Sequence, residues 1–386
     1  MNENRELHEK KEENGNRGFH DNRELAEKLG RVRRLMAERG LKGIYVKRQD
    51  NFGWLSCGRV SYLGPGEMGN CGLLVTEEGQ YAVTTNIEEP RMREEEALEE
   101  LGFVIHAGVW HDEGFESRTV KELAGGAVGS DFTDAWGSNL AGDIQKLRFS
   151  LTQEELDRYI TGGRLVSRLV EEVGMTMRAG EKELSVAGRL NDLARQCNVE
   201  PLSVFCTSDE RIYKFRHAIP TEKPVRERAQ LGGNYRYKGL VLCLTRYVNF
   251  VPLTEELKKQ YRDNVEIDCT MIHSSRPGNT FSQALEAGKA AYERLGYGAE
   301  FDLHHQGGPI GYAPRDYRVG FSHHGIISEN QAFCWNPSIT GTKSEDTVVV
   351  SSQGETFLTK PFLYPTVQVE VEGQTYIRPD ILVKCF

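Results

Sequence analysis

The stretch that follows residue 150 constrains the fold most. Thr152 stands three residues before Glu155, the spacing of a capping box, in which two side chains satisfy the free N–H groups of a helix start. Apolar residues then recur at helical spacing, at Leu156, Tyr159, Ile160, Gly163, Val166, Leu169, Val170 and Val173. This spacing predicts a long amphipathic helix that buries one face. A second structural unit therefore begins near residue 148.

The chain before this helix is typical of a smaller α/β domain. Residues 1–20 are polar without an apolar stripe, which predicts a disordered tail. Asp21 and Glu24 form another capping signal before a stripe from Leu25 to Met36, and Gly40 ends the predicted helix. Short apolar runs follow at 43–46, 72–76, 81–85 and 103–105, with a charged helix near 90–100. We predict an N-terminal α/β domain over 21–147.

The remainder, 148–386, is predicted to be an α+β domain. Helical spacing recurs near 182–196 and 280–295. Apolar strand-like runs lie at 240–244, 333–335, 347–350 and 357–358. Because strand pairs separate the helices, instead of strict alternation of strand and helix, we expect a largely antiparallel sheet.

Charge and composition exclude several classes of partner. The 386-residue chain carries a formal charge of −9 and has a sequence pI near 5.7, whereas nucleic-acid binding needs a basic face. No apolar run approaches the ~20 residues of a membrane span, and residues 1–20 lack the apolar core of a signal peptide. The eight cysteines include no CxxC pair, which predicts free thiols. We expect a cytoplasmic protein that binds a small molecule, with no nucleic acid and no membrane.

Several motifs occur in a fixed order along the chain. They are Asp50-Asn-Phe-Gly-Trp54, Asn86-Ile-Glu88, Arg178-Ala-Gly-Glu-Lys-Glu183, Arg216-His217-Ala-Ile-Pro-Thr221, the glycine-rich stretch after His305, Trp335-Asn336-Pro337 and Ser344-Glu345-Asp346-Thr347. In this order and spacing the chain resembles the creatinase and aminopeptidase P family, whose fold is called pita-bread. The resemblance covers nearly the whole chain past residue 20. It implies a pita-bread C-terminal domain, a creatinase-like N-terminal domain and a homodimer.

The resemblance also implies where metal ligands would stand. Metal-dependent members hold two ions with two Asp, one His and two Glu, a donor set suited to activating a bridging water. The matching positions here are Gly232 or Gly233, Cys243, Gly308, Asn336 and Glu345. Since one carboxylate remains, we predict a member that lacks most metal ligands and uses no metal and no other cofactor. A different kind of metal site at the His304/His305 or His323/His324 pair stays open.

Two residues are predicted to carry the chemistry. His217 matches the histidine that creatinase, itself metal-independent, uses as proton donor and acceptor, and an imidazole exchanges protons readily near neutral pH. The alternative is a histidine that only bonds nearby backbone. Glu345 could orient a guanidinium or amine substrate or hold the imidazolium. The alternative for Glu345 is a salt bridge to Arg246 or Lys343.

A wider set of residues is predicted to contact the substrate. Its members are His305, Arg315, Asn336, Cys243, Arg246 and His324. Arg315 has the planar fork that suits a carboxylate, although a surface arginine would look the same. Cys243 stands between leucines, which favours a buried structural thiol over a nucleophile.

Together these features predict a metal-independent, creatinase-like hydrolase that breaks a C–N or related bond of a small polar, amino-acid-like substrate. Hydrolysis and elimination are not distinguished by the sequence. One alternative is an Xaa-Pro-type metalloaminopeptidase with an altered metal site. Another is a non-catalytic binding protein that keeps the pita-bread scaffold.

Overall fold

The computed structural model describes residues 23–64 and 66–385. The predicted tail over 1–20 and the capping residue Asp21 lie outside the described residues.

The first unit is a six-stranded mixed sheet covered by short helices. Its helices are α1 (Arg23–Arg39), α2 (Gln49–Leu55), α3 (Glu89–Glu94), α4 (Phe115–Ala124) and α5 (Ala141–Leu147). Its strands are β1 (Gly43–Arg48), β2 (Met68–Thr76), β3 (Gln80–Thr85), β4 (Val104–Gly108), β5 (Val128–Ser130) and β6 (Gly137–Asn139). The strand order is β4-β3-β2-β1-β5-β6, with the β1–β2 and β2–β3 pairs antiparallel and the other pairs parallel.

The second unit contains longer helices and two four-stranded sheets. Its helices are α6 (Gln153–Thr176), α7 (Glu183–Gln196), α8 (Glu210–Lys214), α9 (Glu255–Ser274) and α10 (Phe281–Arg294), followed by a 3-10 helix (Gly298–Leu303). Its strands are β7 (Glu200–Ser208), β8 (Arg228–Tyr237), β9 (Leu240–Asn249), β10 (Gly307–Pro309), β11 (Gln331–Trp335), β12 (Ser338–Ile339), β13 (Thr342–Lys343), β14 (Val348–Ser351), β15 (Gly354–Phe357), β16 (Thr366–Val371), β17 (Gln374–Pro379) and β18 (Leu382–Val383).

The sheets of the second unit are mainly antiparallel, as predicted. One has the order β18-β9-β8-β7, in which only the β18–β9 pair is parallel. The other has the order β10-β11-β14-β15 and is antiparallel throughout. The predicted capping box is present, with Thr152 and Glu155 each bonding the other's backbone N–H. Helix α6 buries Tyr159, Val166 and Val170 against the sheet.

A buried charge network joins the two units. The Lys28 side chain on α1 is fully buried, and its ammonium lies 2.6 Å from Glu24 and 2.7 Å from Glu155 on α6. It also donates to the Trp54 carbonyl oxygen at 2.8 Å and to the Tyr312 hydroxyl at 3.2 Å. Tyr312 in turn donates to Glu155 at 2.7 Å. Lys28 on α1 pairs with Glu155 on α6, and Arg158 on α6 pairs in turn with Glu24 on α1, so ion pairs in both directions fix α1 against the second unit.

Two further findings concern membrane-spanning helices and the cysteines. Every helix of the described residues is too short or too polar to cross a lipid bilayer. All eight cysteines are free thiols, and Cys197 and Cys385 are the exposed ones.

Candidate functional site

Three histidines from two separate segments meet in one cluster. His217 lies in the loop after α8, and His304 and His305 directly follow the 3-10 helix. One ring nitrogen from each lies within 4.8 Å of the others. The closest pair is Nε2 of His304 and Nε2 of His217, at 3.1 Å. We call these three residues the histidine cluster.

Neighbouring side chains fix the two segments to each other. Arg216, next to His217, donates to Glu300 on the 3-10 helix at 2.6 Å and to the Thr340 hydroxyl at 2.9 Å. The Gln306 amide donates to the carbonyl oxygen of His304 at 2.7 Å. The loop that carries His217 is therefore held against the turn that carries the other two rings.

The three rings differ in burial and in partners. His304 is buried, and its Nδ1 lies 3.1 Å from the Ser338 hydroxyl oxygen, which leaves Nε2 for the cluster. His305 is half-buried, and its Nδ1 is buried without a hydrogen-bond partner among the described residues. His217 is exposed at the mouth of the cluster and stacks on His305, with 5.6 Å between ring centroids.

The surroundings keep His304 and His305 neutral at pH 7 and disfavour the charged form of His217. Burial, followed by the charge of Lys343, lowers the pKa of His304 to about 2. Burial, followed by the charge of Arg315, lowers the pKa of His305 to about 4. Partial burial and Lys343 also lower the pKa of His217 from its ordinary value. A neutral imidazole keeps a lone pair on one ring nitrogen, and this lone pair can accept a hydrogen bond or bind a metal ion.

The positions that match the metal ligands of the resembling family also converge. The Glu345 carboxylate accepts hydrogen bonds from the Thr245 hydroxyl at 2.7 Å and from the Lys343 ammonium at 2.6 Å. Burial alone would raise the pKa of Glu345, but the charge and hydrogen bond of Lys343 lower it below its usual value. Cys334 lies 3.7 Å from the other carboxylate oxygen. The salt bridge foreseen for Glu345 is thus formed with Lys343 and not with Arg246.

A guanidinium lies among these positions. Arg315 donates from Nη1 to the carbonyl oxygen of Gly308, at 3.1 Å, and to that of Cys334. Gly308 pairs with Cys334 across strands β10 and β11. The buried thiol of Cys334 also interacts with the thiol of Cys243. Arg315 therefore places a fixed positive charge beside Glu345, which contributes to the lowered pKa of that carboxyl group.

The residues present do not fit a two-metal centre. Glu345 is the one carboxylate among the five matching positions, and Gly232 and Gly308 offer no donor atom. A Cβ atom on Gly232 would lie 2.1 Å from the carbonyl oxygen of Leu244, so the backbone leaves no room for a ligand side chain there. Asn336 keeps a buried amide oxygen without a partner among the described residues. A neutral amide and one neutralised carboxylate are too few donors for two divalent ions.

The structure does not bring every predicted residue to the site. Arg246 is fully buried elsewhere, in ion pairs with Glu171 at 3.1 Å and Asp346 at 2.9 Å. His324 is exposed, and its ring lies 3.4 Å from the Ser282 hydroxyl on α10. The other predicted residues lie at the site. Two belong to the histidine cluster, His217 and His305. The rest lie at or beside the positions that match the metal ligands: Arg315, Asn336, Cys243 and Glu345.

The sequence did not predict two residues that orient the cluster: Ser338, which contacts His304, and Glu300, which binds Arg216 next to His217. Both act through local hydrogen bonds that no spacing rule marks. A cleft of about 830 Å³ lies away from the histidines, between the two units, and is lined by residues that include Tyr62, Glu200 and Arg236. The histidine cluster, and not this cleft, holds the imidazoles that exchange protons most readily near neutral pH.

Comparison with known proteins identifies the fold. The sequence matches no protein-family model and no curated protein. Solved structures match over nearly the whole chain. A dipeptidase from Pyrococcus horikoshii is 20% identical, with a TM-score of 0.73 over 92% of this chain and 99% of that one. An Xaa-Pro dipeptidase from Bacillus anthracis is 19% identical, with a TM-score of 0.70 over 93% and 99%.

One further match is not described as a peptidase. The N-terminal domain of the FACT complex subunit SPT16 from chickpea, Cicer arietinum, is 13% identical, with a TM-score of 0.67 over 88% of this chain and 97% of that one. Because these structures are only 13–20% identical to the chain, the comparisons show the fold alone. They confirm the predicted pita-bread architecture, with an N-terminal domain before the C-terminal sheet domain.

Proposed function

We propose that this protein is a hydrolase that cleaves a C–N or related bond in a small polar, amino-acid-like substrate, with His217 transferring protons and without a two-metal centre. One observation carries the proposal. Three imidazoles cluster beside a region in which a guanidinium and a lysine accompany the single remaining carboxylate. The resemblance to creatinase, which uses the matching histidine, supports this chemistry. The fold shared with dipeptidases supports hydrolysis of a peptide-like bond.

His217 is placed for proton transfer in both directions. It is exposed while its Nε2 faces His304, so water and substrate can reach the ring from the open side. The imidazole would take a proton from water as the oxygen attacks the carbon. It would then return that proton to the leaving nitrogen, which receives the electron pair of the broken bond. His304, held by Ser338, is a positioning residue that fixes the ring of His217.

The charged groups have separate roles in this proposal. Arg315 offers a planar guanidinium to a substrate carboxylate or to the negative charge that develops on oxygen during attack. Glu345 balances the charge of Lys343 at 2.6 Å and lies near enough to influence the pKa of His217. It would therefore stabilise the imidazolium formed when His217 accepts a proton.

Two other functions have support. The likeness to an Xaa-Pro dipeptidase favours an Xaa-Pro-type peptidase that uses an altered metal site. The likeness to a domain of SPT16, a subunit of the FACT complex, supports the binding role on the same scaffold that the sequence left open. The resemblance also supports a homodimer, which light scattering of the purified chain would test.

Product analysis by mass spectrometry tests the proposal. Chelator-treated protein is incubated with N-substituted amino acids, creatine among them, and with Xaa-Pro dipeptides. We expect turnover that His217→Ala abolishes and that His111→Ala leaves unchanged, because His111 is exposed on the first unit. Undiminished turnover by His217→Ala would exclude the assigned role. Activity that disappears on chelation and returns with metal would favour the peptidase alternative.

A further inference from the structure

We infer that His217, His304 and His305 form a binding site for one borderline divalent ion such as Zn²⁺ or Co²⁺, distinct from the two-metal cage of the fold. The inference goes beyond the proposed function, in which no metal takes part. An ion bound here would occupy the lone pair of His217 and so block its proton transfer. The site would therefore act as an inhibitory one.

The distances suit such an ion. Zinc binds imidazole nitrogen at about 2.0–2.1 Å, so two tetrahedral nitrogen ligands lie roughly 3.4 Å apart. Nε2 of His217 and Nε2 of His304 are 3.1 Å apart, close to this value. The third nitrogen lies within 4.8 Å of both. A small ring rotation of His305 would complete three ligands on one ion.

The supporting contacts favour the same arrangement. The Ser338 hydroxyl lies 3.1 Å from Nδ1 of His304 and directs Nε2 into the cluster. Partners that hold the second nitrogen of a ligand histidine are typical of metal sites. The Nδ1 atom of His305 has no hydrogen-bond partner among the described residues, so no bond from that atom holds the ring against rotation. The exposed side of His217 leaves an open path for the ion and for a fourth ligand.

The donor type determines which ions fit. Three imidazoles without a carboxylate suit Zn²⁺, Co²⁺, Ni²⁺ and Cu²⁺, whereas Mg²⁺ and Mn²⁺ prefer carboxylate and water oxygens. This selectivity differs from that of the carboxylate-rich cage of the resembling family, which the chain has lost at all positions but Glu345. Binding of Zn²⁺ with little binding of Mn²⁺ is therefore expected of the imidazole site, whereas a carboxylate cage would also bind Mn²⁺.

Nearby charge sets the expected fourth ligand. Lys343, Arg315 and Arg318 all lower the pKa of His217, and the same positive charges oppose a divalent ion. Glu345 offsets part of this charge, since it acts on His217 in the opposite direction. We expect an anion such as chloride or a carboxylate to complete the coordination, because it would neutralise the remaining excess.

Titration of the chelator-treated full chain with CoCl₂ and ZnCl₂ tests the inference without any substrate. We expect one ion per chain by calorimetry, the visible absorption of four-coordinate Co²⁺, and no comparable binding of Mn²⁺. His305→Ala and, separately, His217→Ala should weaken binding by at least about tenfold. His111→Ala is the matched control and should bind like the unmodified chain. Thermal melts confirm that each variant is folded.

The outcomes separate this inference from the proposed function. Absence of Co²⁺ and Zn²⁺ binding, or binding unchanged in both cluster variants, would overturn the metal site. Neither result would affect turnover by the metal-free protein. Binding without any turnover would sustain the site and contradict the proposed function. Where turnover is found, added Zn²⁺ should suppress it in parallel with occupancy, and undisturbed turnover at full occupancy would refute inhibition.

Discussion

The Gly308→Ala substitution tests whether any side chain can stand at the position that matches the metal-binding histidine of the resembling family. Gly308 has a φ of +150°, which L residues rarely adopt, and an added Cβ atom would lie 2.7 Å from the carbonyl oxygen of Tyr317 and 3.0 Å from a methyl carbon of Val319. The strained backbone costs about 1–3 kcal/mol. The overpacking costs about 1–3 kcal/mol more. We therefore expect the free energy of unfolding to fall by about 2–6 kcal/mol.

Urea unfolding followed by tryptophan fluorescence measures this loss. Gly311→Ala is the matched control in the same loop, because a Cβ atom at Gly311 meets nothing within 4 Å. It should change stability by less than about 1 kcal/mol. If Gly308→Ala stays within about 0.5 kcal/mol of the unmodified chain, the steric argument fails. A loss as large as expected would mean that Gly308→His damages the fold before it supplies a ligand.

Three further predictions concern buried charges. Lys28→Met should lower the free energy of unfolding by about 3–5 kcal/mol in urea titrations, because it removes the ion-pair partner of Glu155 and one of the two partners of Glu24. A loss below about 1 kcal/mol would show that water reaches these carboxylates. Burial raises the pKa of Glu24, but Lys28 and Arg158 lower it overall from 4.5 to about 2. The ionised Glu24 carboxylate therefore stabilises the fold above pH 4.5, and this contribution is lost as the pH falls toward 2. Glu24→Gln should lower the free energy of unfolding by roughly 3 kcal/mol at pH 6 and by little near pH 2. A loss that does not depend on pH would contradict this origin. Lys343→Met should lower the free energy of unfolding by about 3–5 kcal/mol, because it leaves the Glu345 carboxylate without its partner. The double variant with Glu345→Gln should recover part of this loss, since it removes the unpaired charge. Equal losses in the single and double variants would refute the pairing of Lys343 with Glu345.

Local patterns predicted much of the fold. The capping box at Thr152 and the stripe after it placed helix α6 within a residue of its start. Helix α9, Glu255–Ser274, was missed because it buries Asp263, Asn264 and Asp268 beside its apolar residues, which hides the amphipathic stripe. Strand β8 was missed because Gly232 and Gly233 interrupt its strand-like pattern.

The sequence predicted only part of the candidate site. His217 and the pair at His304 could be singled out, but 87 residues separate them, and no periodicity reports a contact over that distance. The choice between Arg246 and Lys343 as partner of Glu345 also depends on the three-dimensional structure. Lys343 is two residues from Glu345 and buried with it, whereas Arg246 is drawn to Glu171 and Asp346. Pairing of buried charges is therefore a property of the assembled fold.

The contact between Lys28 and Tyr312 has a consequence for how the chain could be divided. Tyr312 lies shortly after strand β10, and Glu155 lies in the first turn of α6. Tyr312 donates a hydrogen bond to Glu155. A fragment that begins at residue 148 would keep both groups and lose Lys28, the ion-pair partner of Glu155. The N-terminal unit thus serves as a built-in counter-ion for the second one. Such a fragment should be less stable than its own hydrophobic core would suggest, and a soluble amine should bind it where Lys28 is missing.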